Sequence, residues 1–192
     1  MELIWIRHFA TKGNRERRYI GATDEPLDRA ALPEKLRVYP KAEQVVISPM
    51  QRCRETAQII YPGVPVHVCG AFRECDFGDF EGKNYEELKD DIRYQRWLDS
   101  KGTLPFPGGE GHEDFIRRCV LGMEEIMRRL LTEKCVRAAF VVHGGTIMAV
   151  CAAFAGKTFY DWQVKNGGGF GVSIDEIAWE QGNKYFREIE RL

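Results

Sequence analysis

Two histidines stand where an apolar run of the chain ends. Residues 3–6 lead through Arg7 to His8, and residues 139–142 lead directly to His143. Apolar runs without polar alternation predict central strands that are buried on both faces, as in a parallel sheet covered by helices. In open sheets of this kind, ligands bind beyond the carboxyl ends of the strands, where both imidazoles would emerge. We therefore expect the two histidines to share one site.

The residue types around these histidines suit the chemistry of phosphate esters. A neutral imidazole can attack phosphorus and form a covalent phosphohistidine, and phosphoryl transfer depends mainly on positioning and on charge stabilisation. Arg7 is adjacent to His8, and Arg52 lies in the first turn of a predicted helix, whose N-terminus adds partial positive charge. His143 would donate a hydrogen bond to an oxygen of the transition state. The sequence therefore predicts an electropositive pocket for a phosphate group.

A phosphate ester also needs a proton for its leaving alcohol, so a carboxyl group must face this pocket. Glu74 is the leading candidate, because it follows a predicted strand and begins a loop. The same carboxylate would later activate the water that hydrolyses a phosphohistidine. Three other acidic residues share this loop and remain alternatives: Asp76, Asp79 and Glu81.

The elements that must position these residues alternate between strand and helix. This alternation predicts a three-layer α/β/α sandwich with a mostly parallel central sheet, and we expect one domain over residues 1–192. Pro65 should keep the third strand away from the sheet centre, and Pro33 should start or interrupt the first predicted helix. The predicted strands cover residues 2–7, 45–47, 64–68, 136–142, 170–178 and 184–190. The predicted helices cover residues 27–38, 50–60, 84–98, 110–131 and 145–155.

Composition excludes several classes of function. A formal net charge of -1 gives no sign of a nucleic-acid partner or an acidic membrane surface. The chain shows no signal peptide and no apolar stretch of membrane-spanning length. The six cysteines form no C-x-x-C pair, so we expect reduced thiols and a cytoplasmic location. No H-x-H, H-E-x-x-H or paired-cysteine spacing occurs, which predicts neither a metal nor a cofactor.

Five segments carry the candidate residues: 7–8, 48–57, 72–82, 107–110 and 142–146. In this order they resemble the histidine phosphatases, the superfamily that includes cofactor-dependent phosphoglycerate mutase. The resemblance covers nearly the whole chain and implies a phosphoglycerate-mutase-like fold. It also implies a phosphomonoesterase that acts on a small phosphorylated metabolite.

The resemblance assigns a role to each matching residue. It implies that His8 is the phosphorylated nucleophile and that Glu74 is the proton donor, with Arg7, Arg52 and His143 around the phosphate. It further implies that the substrate contacts Thr11, Asn14, Gly21 and Gly144.

One residue departs from the family pattern. The family's usual Arg-His-Gly is Arg7-His8-Phe9 here. Because glycine lets the backbone approach a phosphate closely, we expect Phe9 to crowd or reshape the edge of the pocket. This substitution is also the only argument for a phospholigand-binding module that has lost catalysis.

Residues 19–27 resemble the corresponding segment of the alpha-ribazole phosphatases, which dephosphorylate a precursor in cobalamin assembly. The mutases carry a longer insertion and have a tyrosine where this chain has Phe77. No such insertion is evident between residues 82 and 107, so hydrolysis is favoured over mutase-type phosphoryl transfer. Related phosphatases that act on sugar or glycolytic phosphates share these segments, which leaves the substrate open. The sequence also leaves open whether the chain forms a homodimer.

Overall fold

A computed structural model describes residues 1–192 of the chain. Six strands form one sheet in the order β3-β2-β4-β1-β5-β6. The first four strands in this order are parallel, and β5 is antiparallel to both of its neighbours, β1 and β6. Helices cover both faces, so the predicted three-layer α/β/α sandwich is confirmed, and β3 lies at the sheet edge as expected. The strands are β1 (Glu2–Arg7), β2 (Gln44–Ile47), β3 (Val66–Val68), β4 (Arg137–Val142), β5 (Gly169–Ser173) and β6 (Arg187–Arg191).

Seven α-helices and four 3₁₀ turns connect the strands. No helix is both long and apolar enough to cross a membrane. The helices are α1 (Lys12–Arg15), α2 (Gln51–Ile60), α3 (Tyr85–Leu88), α4 (Ile92–Asp99), α5 (His112–Thr132), α6 (Gly144–Ala155) and α7 (Glu176–Glu180). The 3₁₀ turns are Arg29–Ala31, Gly70–Phe72, Gly78–Phe80 and Phe159–Trp162.

The helix predicted over residues 27–38 is wrong. Only Arg29–Ala31 forms a 3₁₀ turn, with the Asp28 side chain accepting a hydrogen bond from the Ala30 backbone at its start. Pro33 has no backbone N–H to continue a helix, and it disfavours helical backbone at the residue before it. Leu32 accordingly adopts extended geometry, with φ -66° and ψ 139°.

Two other elements end at different residues from those predicted. The helix expected over residues 84–98 is divided into α3 and α4, because Asn84 and Asp91 each cap a separate helix through their side chains. The strand expected over residues 170–178 ends at Ser173, since Asp175 caps α7 by accepting from the Ala178 backbone. Short polar side chains therefore set these boundaries where apolar periodicity does not.

The central strands bury both of their faces, as their continuous apolar sequence predicts. In β1, Leu3 and Trp5 belong to a cluster of 32 buried residues, whereas Ile4 and Ile6 belong to a second cluster of nine. Helices α5 and α6 supply the larger cluster, and α2 supplies the smaller one. Strand alternation thus sends successive side chains of β1 into opposite layers of the sandwich.

The pairing of β1 with β4 brings the ends of the two histidine-bearing strands together. The strands run parallel in the register Arg7 opposite Val142. The pairing extends one residue further, where the His8 backbone N–H donates to the Val142 carbonyl oxygen over 2.9 Å. Both strands therefore end at the same edge of the sheet.

Two glycines of β5 allow a matched test of packing in this sheet. A Cβ atom at Gly169 would lie 1.7 Å from the Trp5 carbonyl oxygen, whereas a Cβ at Gly171 would meet nothing within 4 Å. We expect Gly169→Ala to lower the free energy of unfolding by about 2–3 kcal/mol, since β1 and β5 must separate to fit the methyl group. Gly171→Ala should be neutral or stabilising by up to about 1 kcal/mol. Urea denaturation of both variants measures the difference, and equal stabilities would contradict the packing.

Candidate active site

The two histidines predicted to share a site lie next to each other. His8 follows β1, His143 follows β4, and their ring centroids are 5.1 Å apart with the rings inclined at 68°. Both side chains are buried. The parallel pairing of the two strands is the cause, because neighbouring parallel strands release their next residues at the same edge.

The hydrogen bonds of His8 fix its tautomer. Its Nδ1 atom lies 2.6 Å from the Phe9 carbonyl oxygen. A carbonyl oxygen only accepts, so Nδ1 carries the proton and Nε2 keeps a free lone pair. Burial, followed by the charges of Arg52 and Arg7, holds the pKa of His8 well below its usual range. The imidazole is therefore neutral near pH 7 and has one nitrogen available for attack.

His143 is tied to two neighbours through its ring nitrogens. Its Nδ1 accepts a hydrogen bond from Arg52 Nε over 3.3 Å, since a guanidinium only donates. Its Nε2 then carries the proton and donates to Ser48 Oγ over 2.7 Å. Burial and the nearby charges of Arg52 and His8 hold the pKa of His143 well below its usual range.

Arg52 is fully buried and has no carboxylate partner. Its guanidinium donates instead to the backbone carbonyls of Thr23 at 2.7 Å and Gly21 at 3.0 Å, and more weakly to that of Ile20. The Glu81 carboxylate holds this loop by accepting from the Gly21 and Thr23 backbone at 2.8 and 2.9 Å. Helix α2 supplies the arginine from its first turn, directly after the end of β2.

Arg7 places a second guanidinium at the same edge. It donates from Nη1 to the Val164 carbonyl oxygen over 2.9 Å, while its buried Nε has no hydrogen-bond partner. Burial lowers the pKa of Arg7, and the negative charge of Glu74 partly offsets that effect. The side chain retains a donor for an anion that binds beside it.

Glu74 is the acidic residue that faces these cations. Its carboxylate accepts from the Cys75 backbone at 3.0 Å and from the Gly145 backbone at 3.3 Å, at the start of α6. Burial raises the pKa of Glu74, and the hydrogen bond from Cys75 and the charge of Arg52 oppose the rise. A Cβ atom at Gly145 would lie 2.3 Å from the Glu74 carboxylate, so a larger residue there would displace this carboxylate.

The three alternative acids of this loop are engaged elsewhere. Asp76 accepts from the backbone of its own loop, and exposed Asp79 forms an ion pair with Arg93. Glu81 holds the loop around Arg52. Of the four candidates, Glu74 alone lines a cavity together with Arg7.

This cavity has a volume of about 390 Å³ and is bounded largely by apolar and aromatic side chains. Arg7, Glu74 and Gly144 lie along one part of its wall. The chain contains no group of three or more His, Cys, Asp or Glu side chains arranged to hold a metal ion. The positively charged side chains beside His8 and Glu74 are those of Arg7 and Arg52.

The sequence model of the histidine phosphatase superfamily (branch 1) matches residues 3–190 of the chain. The chain belongs to this superfamily. Membership, together with relatives that are named phosphatases, makes it a phosphatase enzyme.

Individual relatives agree with this membership. The adenosylcobalamin/alpha-ribazole phosphatase of Salmonella typhimurium is 28% identical over 163 residues, which cover 79% of this chain and 78% of that protein. The crystal structure of a phosphoglycerate mutase from Thermus thermophilus is 28% identical with a TM-score of 0.66, covering 100% of this chain and 98% of that one. The alpha-ribazole phosphatase from Shigella flexneri, at 22% identity, a TM-score of 0.78 and coverages of 97% and 94%, shows the shared fold.

In this histidine phosphatase, Thr11 and Asn14 serve the local structure of the loop after His8. They form a reciprocal capping box at the start of α1, with the Thr11 hydroxyl accepting from the Asn14 backbone. Asn14 Oδ1 also accepts from the Asn166 side chain, which donates to the His8 carbonyl oxygen as well. Contact of Thr11 or Asn14 with a substrate stays a prediction.

The two predicted glycines are in close contact with site residues. A Cβ at Gly21 would lie 1.9 Å from the Cys75 carbonyl oxygen, and the Gly21 carbonyl holds Arg52. A Cβ at Gly144 would lie 3.4 Å from Arg7 Nε. Their contact with a substrate also stays a prediction.

Phe9 does not crowd the pocket as expected. Its ring packs toward Gly167, whose Cβ position lies 3.0 Å from a ring carbon, and it lines a different cavity from the one containing Glu74. The Phe9 backbone N–H donates to Thr56 Oγ1 over 3.0 Å. The positive φ values of the chain do not include Phe9, so its backbone needs no glycine. The aromatic side chain turns away because Gly167 leaves room for it.

Arg118 is a supporting residue that the sequence analysis missed. From α5 it donates to the Ala71 carbonyl at 2.6 Å and to the Arg73 carbonyl at 3.0 Å, with a longer contact to that of Glu74. Its remaining donors bind the Glu110 carboxylate at 2.9 and 2.7 Å. One guanidinium thus holds the backbone that carries Glu74. The only sequence signal was that Glu110 falls in a segment shared with the family.

The buried imidazoles predict how stability depends on pH. Because the pKa values of His8 and His143 lie below those of the unfolded chain, the unfolded state binds more protons as the pH falls. The contribution of the two neutral imidazoles to the free energy of unfolding is complete above about pH 6.5. Below that pH it is lost by up to about 1.4 kcal/mol per pH unit for each histidine. Glu74 has a raised pKa and therefore lowers the free energy of unfolding as the pH rises. This single group opposes the two histidines.

We therefore expect the free energy of unfolding to decrease from pH 7 to pH 5.5. Urea denaturation across this range should show a shallower slope for His143→Gln and a steeper slope for Glu74→Gln. A wild-type slope of zero, or one that His143→Gln leaves unchanged, would contradict the assigned protonation states.

Proposed function

We propose that this phosphatase is a metal-independent phosphomonoesterase that works through a phosphohistidine at His8. The observation that carries the proposal is the free Nε2 of His8 beside the guanidinium groups of buried Arg52 and half-buried Arg7, neither of which forms an ion pair. A phosphate dianion is the counterion that such a site favours.

In the first step, the phosphate binds at the guanidinium groups of Arg7 and Arg52. His143 does not donate to it as the sequence predicted, because its only N–H is donated to Ser48; it orients Arg52 instead by accepting from Arg52 Nε. His8 Nε2 forms a bond to phosphorus while the bond from phosphorus to the ester oxygen breaks. The electron pair goes to the ester oxygen, which takes the proton of Glu74 and leaves as an alcohol. The Phe9 carbonyl oxygen, which accepts from Nδ1, stabilises the positive charge that develops on the imidazole.

In the second step, water attacks the phosphohistidine. The Glu74 carboxylate takes a proton from the water as the new oxygen–phosphorus bond forms and the nitrogen–phosphorus bond breaks. His8 returns to its neutral form, Glu74 returns to its acid form, and inorganic phosphate leaves. The raised pKa of Glu74 suits both directions of this proton transfer.

The substrate of this reaction is a small phosphorylated metabolite. Alpha-ribazole phosphate is one candidate, supported by the relative from Salmonella typhimurium and by residues 19–27. Mutase-type transfer is the alternative, and it requires the site to retain the dephosphorylated product. Beside Glu74 the cavity wall offers Arg7 as its only arginine or lysine, which favours release of the alcohol and hydrolysis.

Trapping the covalent intermediate tests the mechanism. With ³²P-labelled phenyl phosphate and an alkaline SDS quench during turnover, we expect label on wild-type protein that is lost in acid, as befits a phosphoramidate. His8→Ala should carry no label and show no turnover, whereas His67→Ala, on the edge strand β3, should label normally. EDTA should leave turnover unchanged. Turnover without any base-stable, acid-labile label would refute the proposal.

Arg118 provides a test of proton donation by Glu74. We expect Arg118→Met to lower kcat/KM for ethyl phosphate by about 10- to 100-fold, because the backbone that positions the acid is released. The loss of kcat/KM for p-nitrophenyl phosphate should be less than about threefold, since p-nitrophenolate leaves without a proton and the later attack of water does not enter kcat/KM. Arg117→Met is the matched control, because Arg117 is exposed and pairs only with Asp114. Equal losses for both esters would assign Arg118 a purely structural role.

A further inference from the structure

The cavity beside Glu74 is bounded by two separate groups of aromatic rings. Within the first group, ring centroids lie 4.8 Å apart for Trp97 and Phe106 and 5.0 Å apart for Phe77 and Phe106. Within the second, Phe159 packs on His112 at 4.7 Å. All of these residues line the cavity, and no ring of one group stacks on a ring of the other. We call this space the aromatic cavity.

The aromatic cavity has few charged groups. Arg7 is its only arginine or lysine and Glu74 its only acid, and the proposed mechanism uses both. His112 also lines it, but burial lowers the pKa of this imidazole, so it is neutral near pH 7. An additional carboxylate or phosphate on a ligand would therefore lose its hydration without gaining a cation.

The size and position of the cavity fit one half of a phosphate ester. Its volume of about 390 Å³ lies within the range of small-molecule sites. Glu74 lies in its wall, so a group bound there would have its ester oxygen next to the proton donor. Aromatic walls bind flat apolar rings through buried area and through edge-to-face contacts.

We propose that the aromatic cavity binds the leaving alcohol, and that this alcohol carries an uncharged aromatic group and no second acidic group. The inference rests on the proposed phosphomonoesterase function and specifies its substrate class. Trp97 on α4 and Phe106 in the following loop are the specificity-determining residues.

Binding of phosphonates tests this inference without requiring turnover. The series is propylphosphonate, benzylphosphonate, 2-naphthylmethylphosphonate and 4-carboxybenzylphosphonate, each measured by titration calorimetry on the wild-type protein at pH 7. We expect the naphthylmethyl compound to bind at least tenfold more tightly than the propyl compound, equivalent to about 1.4 kcal/mol. The carboxyl group should weaken binding at least tenfold relative to benzylphosphonate.

A pair of variants assigns the preference to the cavity. Trp97→Ala should reduce the ratio of naphthylmethyl to propyl affinity by about tenfold, and Phe106→Leu should reduce it less because an apolar side chain remains. Tyr185→Ala is the control, since Tyr185 is an exposed aromatic residue outside the cavity and should leave the ratio unchanged. Circular dichroism verifies that each variant is folded.

The outcomes separate this inference from the proposed function. Equal affinities for the propyl and naphthylmethyl compounds, or tighter binding of the carboxylated compound, overturn the inference even if His8 becomes phosphorylated. Conversely, a strong aromatic preference without any phosphohistidine overturns the proposed mechanism and retains the aromatic ligand class. A preference that Trp97→Ala leaves intact removes the aromatic cavity as its source.

Discussion

Two guanidinium groups, those of buried Arg52 and half-buried Arg7, lack a carboxylate partner, and this is the constraint on which the site depends. Arg52 is held by backbone carbonyls and a histidine, and Arg7 by one carbonyl. Carbonyl dipoles compensate a buried charge only in part, and an unpaired buried charge is costly to a fold. The sheet edge thus keeps a positive potential that an anion relieves. Burial, reinforced by the charge of these arginines, keeps both imidazoles neutral, which preserves the lone pair of His8.

Three supporting side chains maintain this arrangement by binding backbone rather than one another. Glu81 holds the loop whose carbonyls bind Arg52, Arg118 holds the segment that carries Glu74, and Asn166 holds the His8 carbonyl. Each of these side chains forms two or more hydrogen bonds and so fixes two or more positions at once. The backbone around the candidate catalytic side chains therefore orients them, while His8 Nε2 and Arg7 Nε are left without a protein partner.

The parts of the site that local sequence patterns encode could be predicted from the sequence. His8 and His143 follow from apolar runs that end at a sheet edge, and Arg52 follows from a helix that begins there. Arg118 was missed because its contacts join residues 44 to 47 positions apart, which no local pattern reveals. The orientation of Phe9 was also misjudged, because the room for its ring comes from Gly167 across the fold. The helix over residues 27–38 failed for a local reason, the proline at position 33.

The phosphate and the alcohol of the candidate substrate would contact different parts of the chain. In the proposed mechanism, strand ends and the first turn of α2 supply the groups around the phosphate, whereas α4 and the loops beside it supply rings for the alcohol. Glu74 alone belongs to both halves, since it lines the aromatic cavity and faces the two guanidinium groups. A well-fitted alcohol places its ester oxygen against the acid, and a poorly fitted one does not. Binding of the aromatic group thereby positions the ester oxygen for proton transfer, so it should raise kcat as well as affinity.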